Sequence, residues 1–246
     1  MSPVLAGTIA SFLAGILTSV GGLFLLFGFR FGNASMPVFL GFSGGIMFAA
    51  SIFSLLIPAI SSGYIILVLL CFIFGAALVD VLDSVLPHEH LVKGLEGPPS
   101  RLRLVSLLLI TMTIHNFPEG MAVGVSFAKG ITPAALSLTI AIGLQNIPEG
   151  AAVAFPLHSM GMNKWKAILI AFLTGVVEPV AGFIGVSLGV AFSRLLPYIM
   201  AFAAGAMVYV VSDEMIPESH ALGKEKVATF SFLIGFIIMV LFDNLL

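Results

Sequence analysis

The sequence predicts an all-α integral membrane protein with eight transmembrane helices and inverted-repeat symmetry. Only 9% of its 246 residues are Asp, Glu, Lys or Arg, whereas 59% are hydrophobic. A soluble domain carries about a quarter charged residues, so this chain could not cover a water-facing surface. Its apolar stretches recur at the length that a bilayer requires, and a polar six-residue pattern occurs twice. Helices are predicted throughout, because strands with open edges cannot face lipid.

The apolar stretches define the predicted spans, since a membrane-spanning helix needs about 20 mainly apolar residues. Eight stretches qualify, and short connections rich in Gly, Pro, Ser or charge separate them. They cover residues 3–27, 36–58, 64–86, 104–127, 134–155, 167–192, 197–219 and 227–246. We therefore expect residues 1–246 to form a single transmembrane domain surrounded by lipid. The last stretch is barely long enough, which leaves a seven-helix arrangement as the alternative.

The basic residues are unevenly divided between the two sets of connections. One set contains Arg30, Lys93, Arg101, Arg103, Lys164, Lys166, Lys224 and Lys226, and the other contains only Lys129 and Arg194. Cytoplasmic loops carry the excess of Lys and Arg in membrane proteins. The distribution predicts that the richer set is cytoplasmic and that both termini lie outside.

Charge and cysteine content exclude several classes of function. The net charge of −2 gives no indication of nucleic-acid binding. The single cysteine, Cys71, can form no intrachain disulfide and excludes a Cys-rich zinc site. No Walker A sequence is present, so direct use of ATP is not expected. We expect no bound cofactor.

The polar pattern that occurs twice lies in the fourth and fifth predicted helices. The fourth contains His115-Asn116-Phe117-Pro118-Glu119-Gly120, and the fifth contains Gln145-Asn146-Ile147-Pro148-Glu149-Gly150. Adjacent helices with short connections run antiparallel, so the two copies would be related by an axis in the membrane plane. Many transporters build a binding site at the bilayer midplane in this way.

Depth and helical face bring potential ligands together. His115 and Gln145 lie midway along their helices, as do Met47 in the second helix and Glu178 in the sixth. Residues three or four apart share one face of a helix, which places Asn116 and His115 beside Glu119, and Gln145 and Asn146 beside Glu149. An acidic side chain at the bilayer centre costs about 2.5–3.5 kcal/mol. A bound divalent cation would offset that cost, and carboxylate, imidazole and amide donors suit zinc and its neighbours.

These residues resemble the signature of the ZIP (Zrt/Irt-like) metal transporters. The resemblance rests on the two motifs and on Val177-Glu178-Pro179 in the sixth helix. Asp83 with Pro87-His88-Glu89-His90, and the stretch Asp213-Glu214-Met215-Ile216-Pro217-Glu218-Ser219-His220, are similar to the compact prokaryotic, GufA-type branch. The resemblance implies uptake of a divalent transition metal through a prokaryotic cell membrane. Zinc is the expected metal, and iron, manganese, cadmium and cobalt are the alternatives that the sequence does not separate from it. It also implies a homodimer.

The resemblance implies a site for two metal ions on the motif helices. The first ion would be held by His115, Glu119, Gln145 and Glu149, with Met47 as a soft ligand. The second would be held by Asn116, Glu119, Asn146, Glu149 and Glu178. Some members carry Asp where this chain has Asn146, so the loss of a charge is expected to weaken the second ion.

A further group of polar residues lies towards the predicted cytoplasmic side. The group comprises Asp83, His88, Glu89, His90, Asp213, Glu214, Glu218 and His220. The outer halves of the helices have almost no such residues. We therefore expect a ligand-lined exit to the cytoplasm and a mainly apolar outer barrier.

Two other classes of function compete with metal transport. An intramembrane metal-dependent hydrolase would need an open metal position and a general base, often arranged as His-Glu-x-x-His. That motif is absent, so we expect no enzyme. A proton or alkali-cation carrier could use the buried carboxylates as relays. The imidazole and the paired amides favour a softer ion than sodium.

Overall fold

The computed structural model of the protein describes residues 1–28, 35–90, 94–221 and 223–245. Arg30, Lys93 and Leu246, which entered the predicted topology, lie outside these residues, and so does the side chain of His90. The described part contains eight long helices. They are α1 (Pro3–Phe27), α2 (Met36–Ser62), α3 (Ile65–Val85), α4 (Leu104–Ser126), α5 (Pro133–Ser159), α6 (Lys164–Ala191), α7 (Ser193–His220) and α8 (Glu225–Leu245).

Within the described ranges, seven of these helices are long and apolar enough to cross a membrane, and α4 is the exception. The prediction of eight apolar spans is therefore confirmed only in part. Helix α4 has 23 residues, which at about 1.5 Å per residue exceeds the thickness of a bilayer core of about 30 Å. Its mean hydropathy is reduced by its own polar motif. Most residues from Ile114 onwards are buried, so neighbouring helices shield them from lipid.

Close glycine contacts join α2 to α8 and α3 to α7. Gly45 of α2 lies against the carbonyl oxygen of Phe232, so closely that a Cβ atom would overlap it, and Gly205 of α7 meets Phe72 in the same way. Gly235 of α8 contacts the carbonyl oxygen of Phe42, and Gly75 of α3 contacts that of Phe202. Small residues allow membrane helices to pack at short distance. The α2–α8 contacts correspond to the α3–α7 contacts. Each residue of α2 or α3 in these contacts is separated from its counterpart in α7 or α8 by the same number of positions in the sequence.

The four central helices, α1, α4, α5 and α6, pack in the same manner. Gly120 of α4 lies against the carbonyl oxygen of Glu178 in α6, and Gly150 of α5 lies against that of Thr18 in α1. Gly15 of α1 and a glycine of α6 each meet the carbonyl oxygen of the other. The two motif helices are therefore held at backbone distance by α1 and α6, which fixes the position of their polar side chains.

Two helices contain a π-helical segment at matching positions. The segment is Ala50–Leu56 in α2 and Val211–Met215 in α7. A π-helical turn inserts an extra residue, shifts the face of the helix and often occurs at functional sites. Glu214 lies within the second segment. The side chain of Glu214 therefore points in a different direction from the one that it would have in a regular α-helix.

The connection between α3 and α4 contains a small β-hairpin. Strand β1 (His88–His90) pairs antiparallel with β2 (Gly94–Glu96), and His88 lies opposite Glu96. Gly97 follows with φ of 72°, and a Cβ there would overlap the carbonyl oxygen of Leu86. A hairpin outside the helices is compatible with the all-helical prediction for the spans, because its edges need not face lipid.

Candidate metal centre

The two motifs meet at the centre of the bundle, where His115 faces carboxylates from two other helices. Nε2 of His115 lies 3.9 Å from Oε1 of Glu149 on α5. Nδ1 of His115 lies 3.4 Å from Oε2 of Glu214 on α7. His115, Glu119 and Glu149 each offer a ligand atom within 4.8 Å of the other two, and all three residues are buried. An imidazole with two carboxylates at this separation can hold a divalent metal ion.

The amides of the motifs hold the carboxylates in place. The Gln145 amide donates a hydrogen bond of 2.6 Å to Oε1 of Glu119. The Asn146 amide donates one of 2.7 Å to Oε1 of Glu178 and one of 2.9 Å to the carbonyl of Ala14. These bonds link α5 to α4, α6 and α1, so Glu119 and Glu178 are fixed relative to Glu149.

Asn116 is anchored differently from Asn146. Its amide donates a hydrogen bond of 3.1 Å to the carbonyl of Thr174 on α6. Both asparagines thereby use their NH₂ groups on protein partners. Their Oδ1 atoms are buried and have no hydrogen-bond partner among the described residues. A carbonyl oxygen in that position is available to a cation.

Unpaired acceptor atoms concentrate at the predicted ligands. Within the part of the chain that the structure describes, the following buried atoms have no hydrogen-bond partner: His115 Nε2, Asn116 Oδ1, Glu119 Oε2, Gln145 Oε1, Asn146 Oδ1, both carboxylate oxygens of Glu149, and Glu178 Oε2. Buried polar groups are almost always satisfied, because each unpaired group costs about 1–3 kcal/mol and charged groups cost more. A group of acceptors without donors fits the chemistry of a cation site.

A cavity of about 50 Å³ connects this centre to the hairpin. His115 and Glu149 line its inner end, and Glu89, Glu214 and Glu218 also line it. One buried water needs about 10–15 Å³ of such space, so the cavity has room for a few waters. Three residues of the predicted exit thus lie beside the centre, and Glu214 contacts His115 directly.

The other residues predicted at the exit occupy different places. Asp83 and His88 form a separate group with Glu96, which the sequence analysis did not identify. Asp213 is partly buried, and Nε2 of His220 lies 3.4 Å from the hydroxyl of Thr229. The signal that could have found Glu96 is the turn-forming Gly94 between two short polar runs, which is typical of a hairpin.

Met47 is fully buried in the main hydrophobic cluster of the bundle. Methionine fills irregular gaps in such clusters, and its thioether can also ligate a soft metal. Its role as a ligand stays a prediction.

The opposite end of the bundle has a wider vestibule of about 440 Å³. Its polar lining consists of hydroxyl and cationic side chains, including Ser54, Ser126, Lys129 and Arg194. Along α5, the fully buried Leu138 lies between this vestibule and Gln145. Along this helix, an apolar side chain therefore lies between the vestibule and the candidate metal centre.

Several known proteins are similar to this chain. The model of the family described as "ZIP Zinc transporter" matches residues 88–243. The chain is 40% identical to a protein named zinc transporter GufA of Myxococcus xanthus, over 97% of this chain and 98% of that protein. It is also 40% identical to zinc transporter ZIPB of Bordetella bronchiseptica, over 95% of this chain and 79% of the relative. Zinc transporter ZupT of Streptococcus mutans is 32% identical over 92% of both.

The family match includes both motifs, the hairpin and the helix that carries Glu178. The relatives in these comparisons are transporters, and the protein is accordingly a multi-pass membrane transporter rather than an enzyme. The chain belongs to the ZIP zinc transporter family.

Proposed function

We propose that this protein carries zinc across the membrane through the candidate metal centre on α4 and α5. The observation that carries the proposal is the convergence of His115, Glu119 and Glu149 within 4.8 Å of one another in the middle of the bundle. Their acceptor atoms are buried among apolar helices, where a divalent cation is the simplest partner for them. The names of the relatives support zinc as the ion that is carried.

We further propose that α4 is an eighth span and that α1–α3 and α6–α8 are inverted repeats, with α4 and α5 as the symmetric pair between them. The paired glycine contacts support this, because a constant offset converts one set into the other. The matching π-helical segments of α2 and α7 support it as well. Inverted repeats around a midplane site allow one binding site to be exposed alternately to the two sides.

The direction of transport follows from the uneven polarity of the two ends. Carboxylates continue from the centre to the hairpin, whereas the vestibule has no carboxylate among the described residues of its lining and the buried Leu138 lies between it and Gln145 along α5. With the basic connections in the cytoplasm, the hairpin end is the cytoplasmic end and the proposed process is uptake. A cysteine added after Leu246 should react with an impermeant maleimide from outside intact cells. Reaction only after the membrane is disrupted would reverse the orientation.

A proton or alkali-cation carrier is the second candidate that this set of buried carboxylates permits. The imidazole of His115 argues against it, because sodium prefers oxygen donors and zinc accepts nitrogen readily. The experiment is uptake into proteoliposomes that contain a zinc-sensitive dye. We expect protein-dependent zinc entry that a large excess of sodium does not reduce. Sodium or proton flux without zinc entry would favour the second candidate.

A further inference from the structure

An open cavity of about 590 Å³ lies at the hairpin end of the bundle, between the start of α4 and the turn that joins α5 to α6. Its walls are mainly apolar, and one cation belongs to its lining. The residues concerned are Leu104, Val105, Leu157, Met160, Met162 and the cation Lys166. Among the described residues, this cavity shares none of its lining with the cavity that contains His115. It is therefore a separate feature from the candidate metal centre.

The turn that forms one wall of this cavity is held by its own hydrogen bonds. Nδ1 of His158 lies 2.8 Å from the carbonyl oxygen of Met162, and the amide of Met162 donates to the carbonyl of Leu157 at 3.1 Å. The side chain of Asn163 accepts a hydrogen bond of 2.9 Å from the amide of Trp165 and so caps the start of α6. The wall therefore has a fixed shape.

Four exposed basic residues belong to the two segments that line the cavity. They are Arg101 and Arg103 before α4, and Lys164 and Lys166 in the first turn of α6. Within the part of the chain that the structure describes, none of the four forms an ion pair. No Asp or Glu occurs between residues 97 and 118 or between residues 150 and 177. The positive charge beside the cavity is therefore not balanced by its own segments, and an anionic occupant would balance it.

The surface around the cavity has the character of the boundary between lipid headgroups and hydrocarbon. Trp165, the only tryptophan of the chain, is 65% exposed, and tryptophan is enriched at that boundary. Leu169 and Leu173 are also exposed, and they follow Lys166 by three and seven residues on the same face of α6. An acyl chain in the cavity can therefore continue along this face into the bilayer, while its headgroup stays beside the cations.

We propose that this cavity binds one anionic phospholipid from the leaflet on the hairpin side, with its phosphate beside the four cations and an acyl chain against the apolar walls. Basic pockets between membrane helices bind anionic headgroups in this way. The bound lipid joins the start of α4 to the start of α6 and so stabilises the two helices that carry His115 and Glu178. The inference goes beyond the proposed transport function. The competing explanation is that the four cations set the topology and attract anionic membranes without a specific site.

Lipid binding to the full-length protein in detergent, without metal, tests the proposal. Native mass spectrometry counts the lipids retained during titration with phosphatidylglycerol or with the zwitterionic phosphatidylcholine. We expect one phosphatidylglycerol per chain, and phosphatidylcholine bound at least about tenfold more weakly. Arg103→Gln with Lys166→Gln should weaken phosphatidylglycerol binding about thirtyfold, which is about fivefold for each cation removed. Lys129→Gln with Arg194→Gln removes the same two charges from the opposite end and is the matched control, which should change binding less than about twofold.

A substitution that fills the cavity separates a bound lipid from diffuse attraction. Met160→Trp keeps every charge, and the fold should tolerate it because Met160 is 66% exposed. We expect it to weaken phosphatidylglycerol binding about tenfold, since the acyl chain loses apolar contact area. It should also abolish the rise in melting temperature that this lipid gives the parent protein. Ile131→Trp, at an exposed position of the opposite end, should leave both quantities unchanged.

Three results would overturn the proposal and leave only diffuse attraction. They are phosphatidylglycerol binding that Met160→Trp does not change, equal weakening by the two pairs of charge substitutions, and equal affinity for the two lipids. Zinc transport enters none of these measurements, so its failure would not affect them.

Discussion

The two proposed repeats share a scaffold but differ in chemistry. In one, α4 lies against α6 through Gly120 and the carbonyl of Glu178, and in the other α5 lies against α1 through Gly150 and the carbonyl of Thr18. Glu178 of α6 and Thr18 of α1 therefore occupy equivalent positions, so a carboxylate in α6 corresponds to a hydroxyl in α1. The same comparison sets His115 of α4 against a glutamine of α5. The backbone contacts are symmetric and each motif carries a glutamate, whereas the carboxylate of Glu178 and the imidazole of His115 have no counterpart in α1 and α5.

The hydrogen bonds of the two asparagines show the consequence. Asn116 donates to a backbone carbonyl of α6, and Asn146 donates to the corresponding carbonyl of α1 but also to Glu178. Thr18 is fully buried, and its hydroxyl has no hydrogen-bond partner among the described residues. Symmetric packing positions the motifs, and we expect the unequal side chains to decide which ion they bind.

The largest effect is expected at Glu149, which faces His115 and belongs to both ligand sets. Glu149→Ala should reduce zinc uptake into vesicles by more than about a hundredfold, because loss of a ligand costs more than the ten- to hundredfold typical of a supporting residue. Glu225→Gln at equal expression is the control. Uptake within about twofold of the parent protein would remove Glu149 from the site.

The next largest effect is expected at the neutral Asn146 and concerns the affinity for the second metal ion. The two predicted ligand sets together supply three carboxylates, Glu119, Glu149 and Glu178, for two dications, so the parent protein should hold one ion tightly and a second weakly. Asn146→Asp adds a charge near the second ion, worth several kcal/mol at about 4 Å and an effective dielectric of about 20, before desolvation. We expect a net gain of about ten- to hundredfold in the affinity for the second ion.

Metal analysis after extensive washing measures this gain as stoichiometry. Asn116→Asp is the matched change on the other motif helix. Two tightly held ions in the parent protein, unchanged by Asn146→Asp, would show that charge does not limit the second site.

A smaller and more selective effect distinguishes Glu178 from its counterpart Thr18. Glu178→Gln should lower uptake about tenfold, because it removes a carboxylate that Asn146 orients toward the site. Thr18→Val keeps the shape of the side chain and should alter uptake less than about twofold. The measurement is zinc uptake into vesicles by the two variants at several zinc concentrations. Equal losses in the two variants would mean that both repeats contribute ligands.

The sequence was sufficient for the features that depend on local pattern. Helix positions follow from apolar length, and the meeting of polar side chains around His115 follows from residues three and four apart on two helices. Helix α4 was predicted from apolar length like the other spans, although its polar residues lower its mean hydropathy. Its neighbours shield those residues, and that shielding is a property of the assembled bundle.

Other features depend on geometry that no local pattern encodes. Glu214 was predicted at the exit, but the π-helical segment Val211–Met215 turns it towards His115. Glu96 was not identified, because only the hairpin register brings it opposite His88. In both cases an irregular piece of backbone decides which side chains meet, and hydrophobic periodicity carries little information about it.

The central claim is that zinc binds between the two motif helices, and anomalous diffraction at the zinc absorption edge tests it most directly. Crystals of the parent protein grown with zinc should show the strongest peak at about 2.0–2.2 Å from His115 Nε2 and a carboxylate oxygen of Glu149. Zinc peaks elsewhere, with none between α4 and α5, would contradict the account.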